Sequence, residues 1–199
     1  MAWKLVSALF VSTCLASSGA MAQTVLNTQG PYIGLSGGVQ FYDGIEAGDG
    51  TDIDFDTGFG GAGQVGYRFG QLRAEVELAY QAAEAEDVDG DVFDNTVLRG
   101  TIGAYYDFSP LLVAGDFAPY VGAAVGVANI EVEGTDGNNF KDDETGLTFH
   151  GEAGFTYHIT NNIAVSPNYR WEWYETNEVA DVDGELYAHA IRVTGRYAF

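Results

Sequence analysis

The chain has 199 residues, room for one domain of ordinary size, with 29 acidic and 8 basic residues and a formal charge of -21. That balance excludes nucleic acid or another polyanion as a partner, because phosphate binding needs clustered Lys and Arg. The apolar content of 46% excludes a disordered acidic chain, and the single Cys excludes a disulfide framework and a Cys-based zinc site.

Residues 1–22 (MAWKLVSALFVSTCLASSGAMA) read as a secretory signal peptide. Lys4 precedes an apolar stretch, and Ala20-Met21-Ala22 forms an A-x-A cleavage signal. Val11-Ser12-Thr13-Cys14 imitates a lipoprotein cleavage box, but Thr before the Cys fits it poorly. Cleavage after Ala22 leaves a barrel domain of residues 23–199 and removes Lys4, so the net charge becomes -22, from 7 basic and 29 acidic residues. No later run of 18 apolar residues occurs, so no transmembrane helix is expected.

Alternation of period two begins at residue 32. In 32–42 (YIGLSGGVQFY), Ile33, Leu35, Val39 and Phe41 share one face, while Tyr32, Gly34, Ser36, Gly38 and Gln40 share the other. The pattern returns at about 58–69, 72–81, 96–108, 119–128, 147–159, 163–174 and 186–199, which makes eight strands and leaves no helical period to compete. Long acidic loops are expected at 43–57, 82–95, 129–146 and 175–185, and shorter turns near 70–71, 109–118 and 160–162. An even strand count with long and short connections in turn predicts an all-β fold: an eight-stranded, antiparallel, up-and-down transmembrane β-barrel. Pro167 falls in the middle of the seventh strand, where its missing N–H predicts a bulge.

Charge placement sharpens the register. In these strands the apolar faces hold no Asp, Glu, Lys or Arg, while the opposite faces hold Arg68, Arg73, Glu75, Glu77, Arg99, Asp107, Glu152, Arg170, Glu172, Arg192 and Arg196. A soluble barrel of the lipocalin type would turn the apolar face inward. Three features favour the reverse. The polar face is crowded with glycine (Gly34, Gly38, Gly58, Gly60, Gly66, Gly122, Gly126), as the cramped interior of eight strands requires. Its charges nearly balance, as buried ions must. Tyr67, Tyr80, Tyr106, Tyr157, Trp171, Trp173, Tyr187 and Tyr197 stand at strand ends on the apolar face, where membrane girdles lie.

The segments 119–128 (PYVGAAVGVA), 151–171 (GEAGFTYHITNNIAVSPNYRW) and 191–199 (IRVTGRYAF) resemble the small outer-membrane β-barrels of the opacity-like and OmpX-like surface proteins, an OmpA-like transmembrane barrel without a periplasmic domain. The resemblance covers the mature chain; its short Gly-rich motifs mark architecture strongly and activity hardly at all. It implies that Phe199, the C-terminal aromatic, is read as an assembly signal by the barrel assembly machinery. The ending at Phe199 does not support the anchoring role of larger OmpA-type proteins. Outer-membrane lipid and lipopolysaccharide are the expected surroundings.

Little catalytic chemistry is in view. Lipid A deacylases of this fold place a Ser two positions after a His, but His158 is followed by Ile159 and Thr160, and His189 by Ala190 and Ile191. His150 and His158 fall on the inward face, where a hydrogen-bonded structural His is the simpler reading. Eight strands leave an interior just wide enough for side chains, so the inward charges predict a structural ion network joining Arg73, Glu75, Glu77, Arg99, Glu152, Arg170, Glu172 and Arg192. The long loops hold 23 of the 29 carboxylates. The runs 87–91 (DVDGD), 181–185 (DVDGE) and 52–56 (DIDFD) resemble the start of oxygen-rich calcium loops without completing the spacing, so weak Ca²⁺ binding, first at Asp87, Asp89, Asp91 and Asp94, is the one cofactor expectation. The function expected is a non-enzymatic structural or surface-interaction barrel with an extracellular ligand that the sequence does not name. The alternative is a narrow cation-preferring channel.

Overall fold

The computed structural model describes residues 29–42, 45–46, 52–53, 57–86, 92–108, 117–136, 138–179 and 182–199, of which 45–46, 52–53, 84–86, 92–95, 132–136, 138–144, 176–179 and 182–186 are described as backbone alone. Eight strands carry the barrel: β1 (Gly30–Tyr42), β2 (Gly58–Phe69), β3 (Leu72–Glu86), β4 (Val92–Asp107), β5 (Phe117–Asp136), β6 (Asn138–His158), β7 (Ile163–Val179) and β8 (Val182–Ala198). Each pairs antiparallel with the next, and β1 closes on β8 from Tyr32 opposite Ala198 to Tyr42 opposite Ala188. Closure removes every free edge from the wall, which lets the backbone satisfy its own hydrogen bonds in lipid. Ile45–Glu46 and Asp52–Ile53 form a separate two-stranded ladder in the first long connection.

The apolar face points outward. Leu35 is 75% exposed, and Phe59, Leu78, Ile102, Val125 and Ile191 stand out on neighbouring strands. Aromatic pairs mark both ends of this band. Near the chain termini are Tyr67–Phe69, Tyr106–Phe108, Phe117–Tyr157 and Tyr197–Phe199; near the long loops are Phe149–Trp171 and Trp171–Tyr187. From Tyr187 to Tyr197 on β8, a rise of about 3.3 Å per residue and a tilt of about 40° give a height of about 25 Å, the apolar thickness such barrels present to lipid.

Two expectations are corrected by the backbone. The strands run well into the segments expected as loops: β3 and β4 pair out to Glu86 opposite Val92, and β5 and β6 out to Asp136 opposite Asn138. Alternation persists there (Ile130 and Val132 between Asn129, Glu131 and Glu133), and pairing satisfies backbone groups in water as well as in lipid. The bulge expected at Pro167 is absent. Its ladder to β8 is continuous through Val193, and the ladder to β6 stops at Gly154 opposite Asn168 and resumes at Tyr157 opposite Val165 in unchanged register. The Pro167 carbonyl faces β6, 2.5 Å from where a Cβ on Gly154 would stand. The missing donor therefore opens two rungs beside a glycine instead of inserting a residue. The recorded register shift lies at Val182/Asp183.

Tight connections are described at the end of the barrel where Gly30 and Phe199 lie. Phe69 pairs with Leu72, so Gly70-Gln71 is a two-residue hairpin turn, and Gly70 supplies the φ of +71° that its first position requires. At the next such end, the Asp107 N–H donates to the Gln71 carbonyl and the Phe108 N–H to the Pro119 carbonyl.

Candidate functional site

Inward side chains fill the barrel in layers, and alternate residues of every strand supply them. The middle layer gathers Glu77 (β3), Arg99 (β4), Glu152 (β6), Arg170 and Glu172 (β7), and Arg192 (β8). Arg170, 2% exposed, donates through Nη1 and Nη2 to both oxygens of Glu77 at 2.6 and 2.9 Å, and through Nε to Glu152 at 2.8 Å. Arg99 donates to Glu172 at 2.5 Å and to Glu77 at 3.2 Å, and Arg192 to Glu77 at 3.2 Å and to Ser36. Three carboxylates face three guanidiniums, so the layer is neutral. A lone buried ion would cost several kcal/mol; forked pairing with good geometry offsets that cost.

A second polar layer lies toward the termini. Arg73 pairs with Glu75 and, through Nε, with Asp107 at 2.9 Å; Arg68 stands 3.5 Å from Asp107, and Arg196 stands 3.9 Å from Glu75. Six of the eight residues expected in the ion network thus meet in the middle layer, and Arg73 and Glu75 belong to this second one. Tyrosine rings separate the two. The Arg73 guanidinium lies 5.0 Å from the ring centres of both Tyr105 and Tyr120, and the Tyr120 hydroxyl donates to Glu152 at 2.5 Å. Glycines opposite make room for these rings: a Cβ on Gly122 would overlap Tyr105, and one on Gly66 would overlap Tyr32.

On the loop side of the middle layer the lumen turns apolar. Tyr42, Ala83, Val97, Ala128, Ile130, Tyr174 and Ala188 pack together inside the wall. The Tyr174 hydroxyl donates to Glu172 at 2.8 Å and Gln40 donates to the same carboxylate at 2.8 Å, which ties the apolar layer to the ions below it. The expected polar face did not include this layer as such. Its residues sit on the inward parity, with Val97 and Tyr174 two positions from Arg99 and Glu172, while Ala83 and Ile130 lie beyond the ends expected for their strands. Beside Arg99 and Arg192 a cavity of about 10 Å³ remains between Gly38, Gly60, Ala79 and Gln81. That is room for about one water.

Two histidines meet a tyrosine hydroxyl. His150 is buried with its Nε2 3.2 Å from the Tyr105 hydroxyl, and His189 faces outward with Nδ1 2.5 Å from the Tyr169 hydroxyl. No group of His, Cys, Asp and Glu able to hold a metal occurs among the described residues. Asp87, Asp89 and Asp91, and the side chain of Asp94, lie outside the described residues. Phe199 ends the chain at the lower girdle, its N–H donating to the Pro31 carbonyl at 3.2 Å.

The family model described as "Outer membrane protein beta-barrel domain" matches residues 10–199. No curated protein matches the chain. Among solved structures, Neisserial surface protein A is similar at 18% identity and a TM-score of 0.64, over 85% of this chain and 97% of that one. Ail, the attachment invasion locus protein of Yersinia pestis, solved with the heparin analogue sucrose octasulfate, is similar at 14% identity and a TM-score of 0.54, over 84% and 99%. A major outer membrane protein of Thermus thermophilus is similar at 12% identity and a TM-score of 0.52, over 85% and 99%. At these identities the likeness is one of fold.

Proposed function

The chain belongs to the outer-membrane β-barrel domain family and so is a barrel of the bacterial outer membrane; from that premise we propose a non-enzymatic structural and surface-interaction protein that works through its loop end and not through its lumen. The filled interior carries this reading. Two ionic layers and an apolar layer occupy the bore, and the cavity between them takes about one water. A narrow cation channel would need a continuous wet path through the same space.

The loop end supplies what the lumen lacks. β6 is laddered to β5 from Asn138, but to β7 only from Thr148. Residues 138–145 thus have no ladder partner on the β7 side among the described residues, and an unpaired strand edge is a template for an extended segment of another chain. In this reading the leader 1–22 delivers the chain, Phe199 is its assembly signal, and the acidic loops face outward amid lipopolysaccharide and bind Ca²⁺ weakly.

Two measurements test the proposal. Purified barrel in planar bilayers should give no steady conductance; a steady cation-selective current would replace this reading with the channel. Replacing residues 131–143 by Asn-Gly, which pairs Ile130 with Glu144 across a two-residue turn, should preserve the folded barrel while cell adhesion falls. Unchanged adhesion would remove the hairpin from the function.

A further inference from the structure

The two polar layers differ in charge. In the middle layer three arginines meet three glutamates, whereas in the layer near the termini Arg68, Arg73 and Arg196 meet only Glu75 and Asp107. Among these side chains one positive charge is left over, in a chain whose formal charge is -21. Arg73 does not carry that surplus: Glu75, Asp107 and two tyrosine rings surround it. Arg68 has Asp107 at 3.5 Å, and it shares the Oδ2 that already accepts from Arg73 at 2.9 Å. Arg196 donates Nη1 to Ser166 at 2.6 Å, while its buried Nε has no hydrogen-bond partner.

Arg68 and Arg196 line the same cavity of about 40 Å³, at the mouth where the chain begins and ends. Gln29, Asn161 and Asn162 are on its rim. Phe199 lines it as well, and no ion pair joins its carboxylate to either arginine among the described residues. A space that takes about three waters also admits a small oxyanion. Two guanidinium forks favour an oxyanion over chloride, because several N–H donors then reach several oxygens at once.

We propose that this mouth is a binding site for a phosphate-class oxyanion, held by Arg68 and Arg196 with the amide of Asn161 at the rim. The anion would be free phosphate or the phosphodiester of a phospholipid head group in the adjoining leaflet; the second source rests on the orientation in the proposed function, the first does not.

The test uses the refolded barrel in phosphate-free maltoside micelles, with the side-chain amides of Asn161 and Asn162 followed by NMR. Inorganic phosphate should shift them saturably, beyond the effect of chloride at equal ionic strength. The affinity should fall about tenfold in Arg68→Gln, the loss of one charge-assisted contact, and rise in Asp107→Asn, which frees Arg68 from its competing carboxylate. Shifts no larger than those with chloride, or equal affinities in the native chain and both variants, would overturn the site. Dihexanoyl phosphatidylglycerol forms the second arm. Tighter saturation by this lipid than by phosphate identifies the head group as the source, and saturation by phosphate alone identifies the free anion.

Discussion

Arg170 is the side chain on which the middle layer turns, since it touches Glu77, Glu152 and Glu172 from full burial. Arg170→Ala would strand three carboxylates against one another and should lower barrel stability by about 3–5 kcal/mol. Glu75→Ala, which takes a partner from Arg73, should act in the same direction. Asp54→Ala in the first acidic loop should leave the urea midpoint nearly unchanged, and equal small shifts from all three would mean hydrated ions. Packing sets a second expectation. Gly122→Ala drives a methyl into the Tyr105 ring, whereas a Cβ on outward-facing Gly151 meets nothing within 4 Å. The first substitution should cost about 1–3 kcal/mol and the second almost nothing, read as thermal midpoints in the same micelles. Nine of the eleven inward charges were legible in the sequence because each shares a strand and a parity with another; Arg68 and Glu152 are alone on theirs. The pairs themselves were not legible, since Glu77 and Arg170 are brought together only by closure of the barrel. Val97 and Tyr174 were legible as lumen residues too, two positions from Arg99 and Glu172 on the same strands, whereas Ile130 was not, because it lies beyond 119–128, a strand with no charge to label its faces.

At the scale of elements, alternation located all eight strands but ended them too early at the loop end. Acidic residues in 129–146 suggested solvated coil, yet charge on a ladder above the membrane costs little when the side chains stand in water. Pro167 shows the opposite limit. Its missing N–H was readable, but the relief comes from Gly154 on the neighbouring strand, thirteen positions earlier in the chain, a match visible only in register. The acidic segment joining β3 to β4 carries the cation expectation: Asp87, Asp89, Asp91 and Asp94, with Glu84 and Glu86 beside them, repel one another until a hard cation with oxygen ligands intervenes. Calorimetric titration with Ca²⁺ at fixed ionic strength should give weak binding, about millimolar, that vanishes when the four Asp residues become Asn. Identical heats from the two proteins would leave the segment as solvated acidic surface.

Across the whole molecule, charge is sorted by sequence segment. Of 29 carboxylates, 23 fall in 43–57, 82–95, 129–146 and 175–185, five lie in the lumen, and one, Asp116, falls in the segment 109–118. Six of the eight basic residues are lumen arginines, which leaves Lys141 as the single cation among the long connections. This distribution turns orientation into a measurable quantity. In the orientation proposed above, with both ends of the barrel in the periplasm, a protease specific for acidic residues should cut intact cells' barrels only within those four segments. Trypsin should cut only after Lys141, because the remaining arginines of the mature chain are enclosed by the wall. The connections 70–71 and 160–162 hold no carboxylate and no basic residue, so neither enzyme has a site there. Proteinase K, indifferent to charge, completes the comparison: on intact cells it should spare 109–118 and 160–162 and reach them only after the outer membrane is opened. Cleavage of intact cells confined to those turns would invert the barrel, placing the acidic hairpins in the periplasm and the arginine-lined mouth outside.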